Sequence, residues 1–181
     1  SVPPNAPDTF HTFDQFDATN NFYGGQLGAR AAFDNGRLYV NATGKVALGA
    51  TVETVGIHGG TLTNALSSSG TLVAYPGAYF SQPTNIGTQS RSQFAVVPEV
   101  DLNFGVRVSP WASFIVGYSF LYVSSVARPG DQLDRVINPT QAPAITGIAP
   151  GSLVGMARPM QVMRDTDFWV QGLNFGLELR Y

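Results

Sequence analysis

The stretch DFWVQGLNFGLELRY at residues 167–181 decides the fold class of this chain. Large apolar side chains such as Leu173, Phe175 and Leu177 alternate in it with small or polar ones such as Asn174. A period of two is typical of a β-strand whose two faces have different surroundings. In a soluble sandwich the polar face would meet bulk water, whereas in a transmembrane barrel the apolar face meets lipid and the polar face meets the lumen.

Four other segments repeat this alternation. The predicted strands are residues 13–33, 37–54, 92–109, 112–124 and 167–181. Asn35-Gly36 predicts a tight hairpin turn between the first two strands, because these residue types accept the positive φ angles of such a turn. Ser109-Pro110 predicts a second tight turn.

Three features interrupt the regular pattern. The pair Gly24-Gly25 predicts either a bulge or a close approach of two backbones. Pro98 falls within a predicted strand, although proline cannot donate to a ladder and favours edges or bulges. Val55 and Ile57 are out of step with the apolar residues before them, which predicts a bulge or the end of the lipid-facing zone.

The connections between the predicted strands alternate between short and long. Residues 1–12 are predicted to form an N-terminal loop, and the long loops are expected at about 58–91 and 128–166. Short turns on one side and long loops on the other are typical of outer-membrane barrels. We therefore expect residues 1–181 to form a single segment of an all-β, antiparallel, up-and-down transmembrane β-barrel.

The number of strands predicts a partner for this segment. Single-chain bacterial barrels have even strand counts of at least eight, so five strands cannot close alone. We expect either a missing N-terminal half or further copies of the chain to complete the barrel, with the lipid bilayer around it. The first seven residues read as a loop without a signal peptide, which predicts that a leader was removed or that more chain precedes them.

Composition narrows the class of protein further. Only 12% of the residues are charged, about half the share of about 25% in soluble domains. The net charge of -2 argues against nucleic acid as a partner. Without cysteine, the chain has no disulfide, thiolate metal site or cysteine nucleophile.

No enzyme signal is strong, and we expect no catalytic residue, cofactor or metal. Residues 117–121 lack the final glycine of a nucleophile elbow. His11 and His58 lie far apart in the sequence, without partners at metal-ligand spacing, and are expected in loops or at strand ends.

Asp131 and Asp134 leave two interpretations open. Their carboxylates could contribute to a calcium site. The favoured alternative is a turn in which Asp131 accepts backbone hydrogen bonds and Arg128 or Arg135 forms an ion pair.

Charged and aromatic residues fall into two predicted groups. The polar faces, expected to line the lumen, carry Arg30, Lys45, Glu53, Glu99, Asp101, Arg107, Glu178 and Arg180. The expected aromatic girdles contain Trp111 with Tyr181 and Tyr122 with Trp169. A lipid-facing Arg or Lys costs about 2–4 kcal/mol at the bilayer midplane, and the predicted sorting avoids that cost.

Several segments together resemble the putative β-barrel porin family described in planctomycete bacteria. They are NFYGGQLG (21–28), KVALG (45–49), FAVVPE (94–99), GYSFLY (117–122), RPGDQLDR (128–135), FW (168–169) and QGLNFGLELRY (171–181). The resemblance covers most of the chain and implies a β-barrel of which this segment is the C-terminal half. It implies no particular substrate.

Two functions are compatible with these patterns. The first is a porin-like outer-membrane barrel that is not an enzyme and forms part of a pore in the cell envelope. The alternative is a structural or surface-assembly β protein without transport activity. A soluble sandwich, which would need no detergent, is the remaining interpretation.

Overall fold

The structure, a computed structural model, describes residues 8–147 and 151–180. The strands are β1 (Phe10–Asp34), β2 (Leu38–Thr63), β3 (Val73–Pro76), β4 (Gly87–Ser109), β5 (Ala112–Ala127) and β6 (Asp165–Leu179). Their order in the sheet is β1-β2-β4-β5-β6, with β3 paired to β2. The prediction of an all-β, antiparallel, up-and-down fold, as in a barrel segment, is confirmed.

Among the described residues, helical structure is confined to three short pieces between β5 and β6. They are two 3-10 turns, Pro129–Gln132 and Pro139–Gln141, and one α-helical turn, α1 (Pro143–Thr146). Within the described residues, no helix has the length and apolar character needed to cross a membrane.

All five long strands were predicted, but the extent of the first long loop was wrong. β2 continues to Thr63, and β3 follows before β4 begins at Gly87. These regions were read as loop because glycine, serine and threonine weaken the hydrophobic alternation there. At the N-terminus, β1 already begins at Phe10, and residues 1–7 of the predicted loop lie outside the described part of the chain.

The hairpin between β1 and β2 forms where it was predicted, with one difference in its backbone. Gly36 has a φ of 87°, whereas Asn35 does not have a positive φ. The side chain of Asn35 instead accepts hydrogen bonds from the Leu38 and Arg37 N–H groups, at 2.8 and 3.2 Å. The asparagine therefore stabilises the turn by capping the backbone, and only the glycine supplies the left-handed conformation.

Pro98 lies in β4, which is a central strand rather than an edge. The described register between β4 and β5 begins beside it, with Glu99 opposite Leu121. Two residues earlier, the Val96 N–H donates to the Ser124 hydroxyl at 2.9 Å. A side chain thus satisfies a backbone donor near the position where proline cannot donate to the ladder.

The backbones of β1 and β2 approach closely at Gly24 and Gly49. A Cβ atom on Gly24 would overlap the Leu48 carbonyl oxygen, and one on Gly49 would overlap the Tyr23 carbonyl oxygen. This confirms the close-approach interpretation for Gly24. By contrast, a Cβ on Gly25 would meet open space.

The chain divides into two compact units. The first, called the loop unit, comprises the described residues of Ser1–Asn20, Glu53–Arg91 and Ala127–Asp165. The second, called the strand unit, comprises those of Asn21–Val52, Ser92–Val126 and Thr166–Tyr181. The boundary falls within the strands, so each unit contains parts of several of them.

The loop unit has a small hydrophobic core. Val55, Ile57 and Ala127 form its buried centre, and partly buried residues of β1 and of the segment before β6 pack against them. Those packing residues are Phe16, Ala18 and Met163. The change of apolar parity at Val55 and Ile57 therefore coincides with a covered face of β2, and the strand continues to Thr63.

Candidate functional site

The strand unit exposes the large side chains of its predicted apolar faces. Leu27 is 82% exposed and Leu173 is 69% exposed. The other exposed members are Tyr23, Phe33, Val46, Leu48, Phe94, Val100, Leu102, Phe104, Val108, Phe114, Trp169, Phe175, Leu177 and Leu179. An apolar surface of this extent is not stable in water, and it marks a surface that contacts protein or lipid.

Charged residues predicted for the polar face pair with one another in the strand unit. Lys45 Nζ lies 2.8 Å from Glu99 Oε1, joining β2 to β4. Near the end of β6, Arg180 Nε lies 3.2 Å from Glu178 Oε1. Both pairs were on the predicted list, but sequence reasoning did not identify the pairing itself.

Arg107 of β4 holds the hairpin between β1 and β2. Its Nη1 and Nη2 donate to the two carboxylate oxygens of Asp34, at 2.7 and 2.6 Å, and Nη1 also donates to the Gly36 carbonyl at 2.9 Å. Its guanidinium carbon lies 5.0 Å from the centre of the Tyr39 ring. The planar guanidinium suits such two-pronged binding of a carboxylate. Asp34 was read only as part of the turn, so this partner was missed.

Two further charged residues of this face, Arg30 and Asp101, bind uncharged polar partners. Arg30 donates to Asn41 at 3.3 Å, and in β5 Ser119 donates to Asp101 at 2.7 Å. Asp101 and Ser119 stand opposite each other in the register of β4 and β5. Their hydrogen bond is thus a cross-strand pair.

A groove of about 460 Å³ lies against these side chains within the strand unit. Its polar lining includes Glu99, Asp101, Ser119 and Gln171. Carboxylate, hydroxyl and amide groups can bind water or the hydroxyl groups of a polar solute. Phe120, Leu121 and Val170 also line the groove, and most of its exposed lining is apolar. The groove therefore combines a few polar side chains with an apolar wall.

Small residues leave room for the polar side chains on neighbouring strands. A Cβ on Gly117 would overlap the amide groups of Asn103 and Asn174, and one on Gly105 would overlap the Tyr39 ring. Glycine in β4 and β5 thus allows larger polar groups from adjacent strands to lie over the sheet.

Glu53, another predicted polar-face residue, belongs to the loop unit and is fully buried. Arg91 Nε lies 2.7 Å from its Oε2 atom, and Arg91 Nη2 pairs with Asp165. A buried carboxylate without a partner would be strongly destabilising. Arg91 was missed because its position near the start of β4 was read as loop.

Asp134 forms an ion pair, but with an unexpected partner. Its Oδ2 atom accepts from Arg158 Nη1 at 2.8 Å and from the Met160 N–H at 2.8 Å. The sequence analysis did not identify Arg158 as the partner of Asp134, because the two residues meet only where the connection folds back on itself. Burial by itself would raise the pKa of Asp134, but the hydrogen bonds from the Met160 N–H and Arg158 outweigh burial and lower that pKa.

The calcium interpretation receives no support from the described residues. Among them, no group of three or more His, Cys, Asp or Glu side chains is arranged to hold a metal ion. Both histidines were expected in loops or at strand ends: His11 lies at the start of β1, as expected, whereas His58 lies inside β2.

The predicted aromatic girdles stay a prediction. Trp111 is exposed in the turn between β4 and β5, and its carbonyl accepts from the Arg180 N–H at 2.8 Å. Trp169 is exposed on β6, and Tyr122 is half-buried on β5. Tyr181 lies outside the described residues.

Comparison with known proteins identifies the family. The family model described as Putative beta barrel porin-7 (BBP7) matches residues 3–181. No curated protein and no solved structure matches the chain. The match extends over nearly all of the strands and charged pairs described above, and the chain therefore belongs to the putative beta barrel porin-7 family.

Proposed function

We propose that this protein is a porin-like component of the bacterial outer membrane, in which the polar face of its sheet lines a water-filled path for small polar solutes. The observation that supports the proposal most strongly is the division of the strand unit into two faces. Exposed leucine and phenylalanine residues cover one face, and paired charges occupy the other. Lipid on the apolar side and water on the polar side would satisfy both.

The charges indicate what kind of solute such a path would accept. Lys45, Glu99, Asp101 and Arg107 mix positive and negative side chains, and several neutralise one another. A single-sign surface would favour ions of the opposite sign. We therefore expect weak charge preference and passage of small neutral or singly charged solutes.

Planar-bilayer recording of the intact barrel tests this function. We expect discrete conductance steps with little preference between small cations and anions. If a properly folded, membrane-inserted barrel never conducts at any voltage, that result would contradict the proposed pore but not the proposed membrane barrel.

A structural role without transport is the second candidate. It is favoured by the two edge strands, because β1 and β6 each have only one sheet neighbour among the described residues. Unpaired strand edges are templates for pairing with other strands. In that case, native mass spectrometry of detergent-extracted protein should show assemblies larger than the 19.3 kDa chain.

A further inference from the structure

The groove of about 460 Å³ in the strand unit has one polar and one aliphatic side. Asp101 of β4 stands opposite Ser119 of β5, and two positions earlier Glu99 stands opposite Leu121. Residues two positions apart on a strand point to the same side of the sheet. Hydrogen-bonding groups and an aliphatic side chain therefore lie beside one another on adjacent strands. The volume falls within the range of small-molecule sites, about 300–1,000 Å³.

Each carboxylate of the groove has one oxygen in use and one that is still an acceptor. Glu99 Oε1 lies 2.8 Å from Lys45 Nζ, and Asp101 Oδ1 accepts from the Ser119 hydroxyl at 2.7 Å. Within the described part of the chain, neither Glu99 Oε2 nor Asp101 Oδ2 accepts a hydrogen bond. Two positions along a strand span about 7 Å, so one small solute can reach both carboxylates.

Two amide side chains continue the polar side next to the groove. Asn103 follows Asp101 on the same face of β4 and stands opposite Gly117 of β5. A Cβ on Gly117 would overlap the amide groups of Asn103 and of Asn174 in β6, so both amides occupy the space above this glycine. An amide group both donates and accepts hydrogen bonds. Carboxylate, hydroxyl and amide groups in succession therefore suit a solute that carries several hydroxyl groups.

The other side of the groove is aliphatic and leaves room for a ligand. Leu121 of β5 and the exposed Val170 of β6 line it. Gly172 of β6 also lines the groove, and a Cβ there would meet nothing within 4 Å. Contact with the C–H groups of a ligand would remove this aliphatic surface from water, which is favourable. A pyranose ring presents C–H groups on its faces and hydroxyl groups at its edge.

We propose that this groove binds a neutral sugar of monosaccharide size, with Asp101 accepting from its hydroxyl groups and with Leu121 and Val170 packing against its ring. The role of the site in passage rests on the proposed porin function, whereas sugar binding itself does not. A simple organic cation is the less suitable ligand, because Lys45 already pairs with Glu99 and such a cation offers no acceptor to the neighbouring amide N–H groups.

Binding is measured by saturation-transfer NMR with D-glucose on the folded barrel in a polyoxyethylene detergent, which carries no sugar headgroup. Gly172→Val fills the groove with a side chain that strands accept well. Gly44→Val is the matched control, since a Cβ on Gly44 also meets nothing within 4 Å and Gly44 does not line the groove. Asp101→Ala removes the acceptor, and Asp101→Asn keeps an acceptor oxygen without the charge. Heat-dependent gel migration checks the folding of each variant.

We expect D-glucose to bind the parent and Gly44→Val equally and to show no binding to Gly172→Val. Asp101→Ala should weaken binding about tenfold or more, because hydrogen bonds to charged groups are strong. Asp101→Asn should weaken it only about threefold, since an uncharged hydrogen bond is weaker but still present. In planar bilayers, D-glucose should interrupt the current through the parent but not through Gly172→Val.

The contrary results separate the sugar site from the pore. Absence of glucose binding to the folded parent, or equal binding to the parent and Gly172→Val, overturns the site. Binding of tetramethylammonium in place of glucose, with loss in Asp101→Asn, would assign the groove to cations and overturn it as well. If the barrel conducts without binding glucose, the sugar site fails and the pore stands. If glucose binds as expected but the barrel never conducts, the pore fails and the sugar site stands.

Discussion

At the level of single residues, position 49 requires glycine because the backbone of β1 lies too close for any side chain, and not because of a left-handed backbone conformation. A Cβ atom there would overlap the Tyr23 carbonyl oxygen and crowd the Gly24 Cα atom. Because the obstacle is backbone, it cannot move aside as a flexible side chain would. We expect Gly49→Ala to destabilise the folded barrel by about 1–3 kcal/mol, as overpacking does.

The control for this prediction is Gly44→Ala on the same strand. A Cβ on Gly44 would meet nothing within 4 Å. Urea-induced unfolding in lipid vesicles should therefore show a lower midpoint for Gly49→Ala only. Equal midpoints for the two variants would mean that the backbones of β1 and β2 do not approach closely at Gly49.

The choice of partner for each charged residue is the second feature at the level of single residues. Alternation assigned Arg107 and Glu53 to polar faces, but the sequence did not identify Asp34 and Arg91 as their partners. Arg107 and Asp34 are separated by 73 positions in the chain, and Arg91 and Glu53 by 38. Such pairs depend on the register between strands that are distant in sequence, which a local pattern does not contain.

At the level of elements, β6 provides a direct test of which face meets lipid. Leu173 lies on the exposed apolar face, and Gly172 lies one position earlier on the opposite face. We expect Leu173→Arg to weaken folding into lipid vesicles by up to about 2–4 kcal/mol, the cost of an arginine facing the bilayer midplane. Equilibrium refolding from urea measures this difference.

Gly172→Arg is the matched control, because a Cβ on Gly172 meets nothing within 4 Å. It introduces the same charge at almost the same depth, so it should cost little if its face meets water. Equal costs at the two positions would argue against lipid on the apolar face of β6.

β2 shows where an element departs from a simple pattern. Its apolar residues first occupy one face and then, at Val55 and Ile57, the other. The strand continues to Thr63, and the packing of Met163, Phe16 and Ala18 changes the surroundings of its second half. Periodicity reports which face is apolar, and it cannot report which segment will cover that face.

At the level of the whole molecule, strand direction limits how the barrel can close. β1 and β2 are antiparallel through their hairpin, and β4 and β5 are antiparallel in register. Lys45 meets Glu99 while the Arg37 carbonyl accepts from the Arg107 N–H, so β2 and β4 are also antiparallel.

The same reasoning applies to the last pair of strands. Just after the end of β6, the Arg180 N–H donates to the carbonyl of Trp111, which lies just before β5. Gln171, which is earlier in β6, accepts from Tyr118, which is later in β5. β5 and β6 are therefore antiparallel, and β1 and β6 run in the same direction. Direct pairing of these two strands would be parallel.

We therefore predict that an odd number of additional strands separates β1 from β6 in the closed barrel, since only an odd number keeps every pair antiparallel. The cysteine-free sequence allows this to be tested by cross-linking. A series of cysteine pairs with one member in β1 and one in β6 should form no disulfide in the assembled protein. Efficient cross-linking along the two strands would show that they pair directly.

By itself, the sequence determined the five long strands, the orientation of their apolar faces and the position of the first hairpin. These features follow from a period of two and from the φ angles that glycine accepts, both of which are local. Only the tertiary structure decided which charges pair, how far β2 extends and that a later connection covers the face of Glu53, Val55 and Ile57. Those properties depend on packing between segments far apart in the chain. The alternation along one strand does not predict which strand or loop will lie against it.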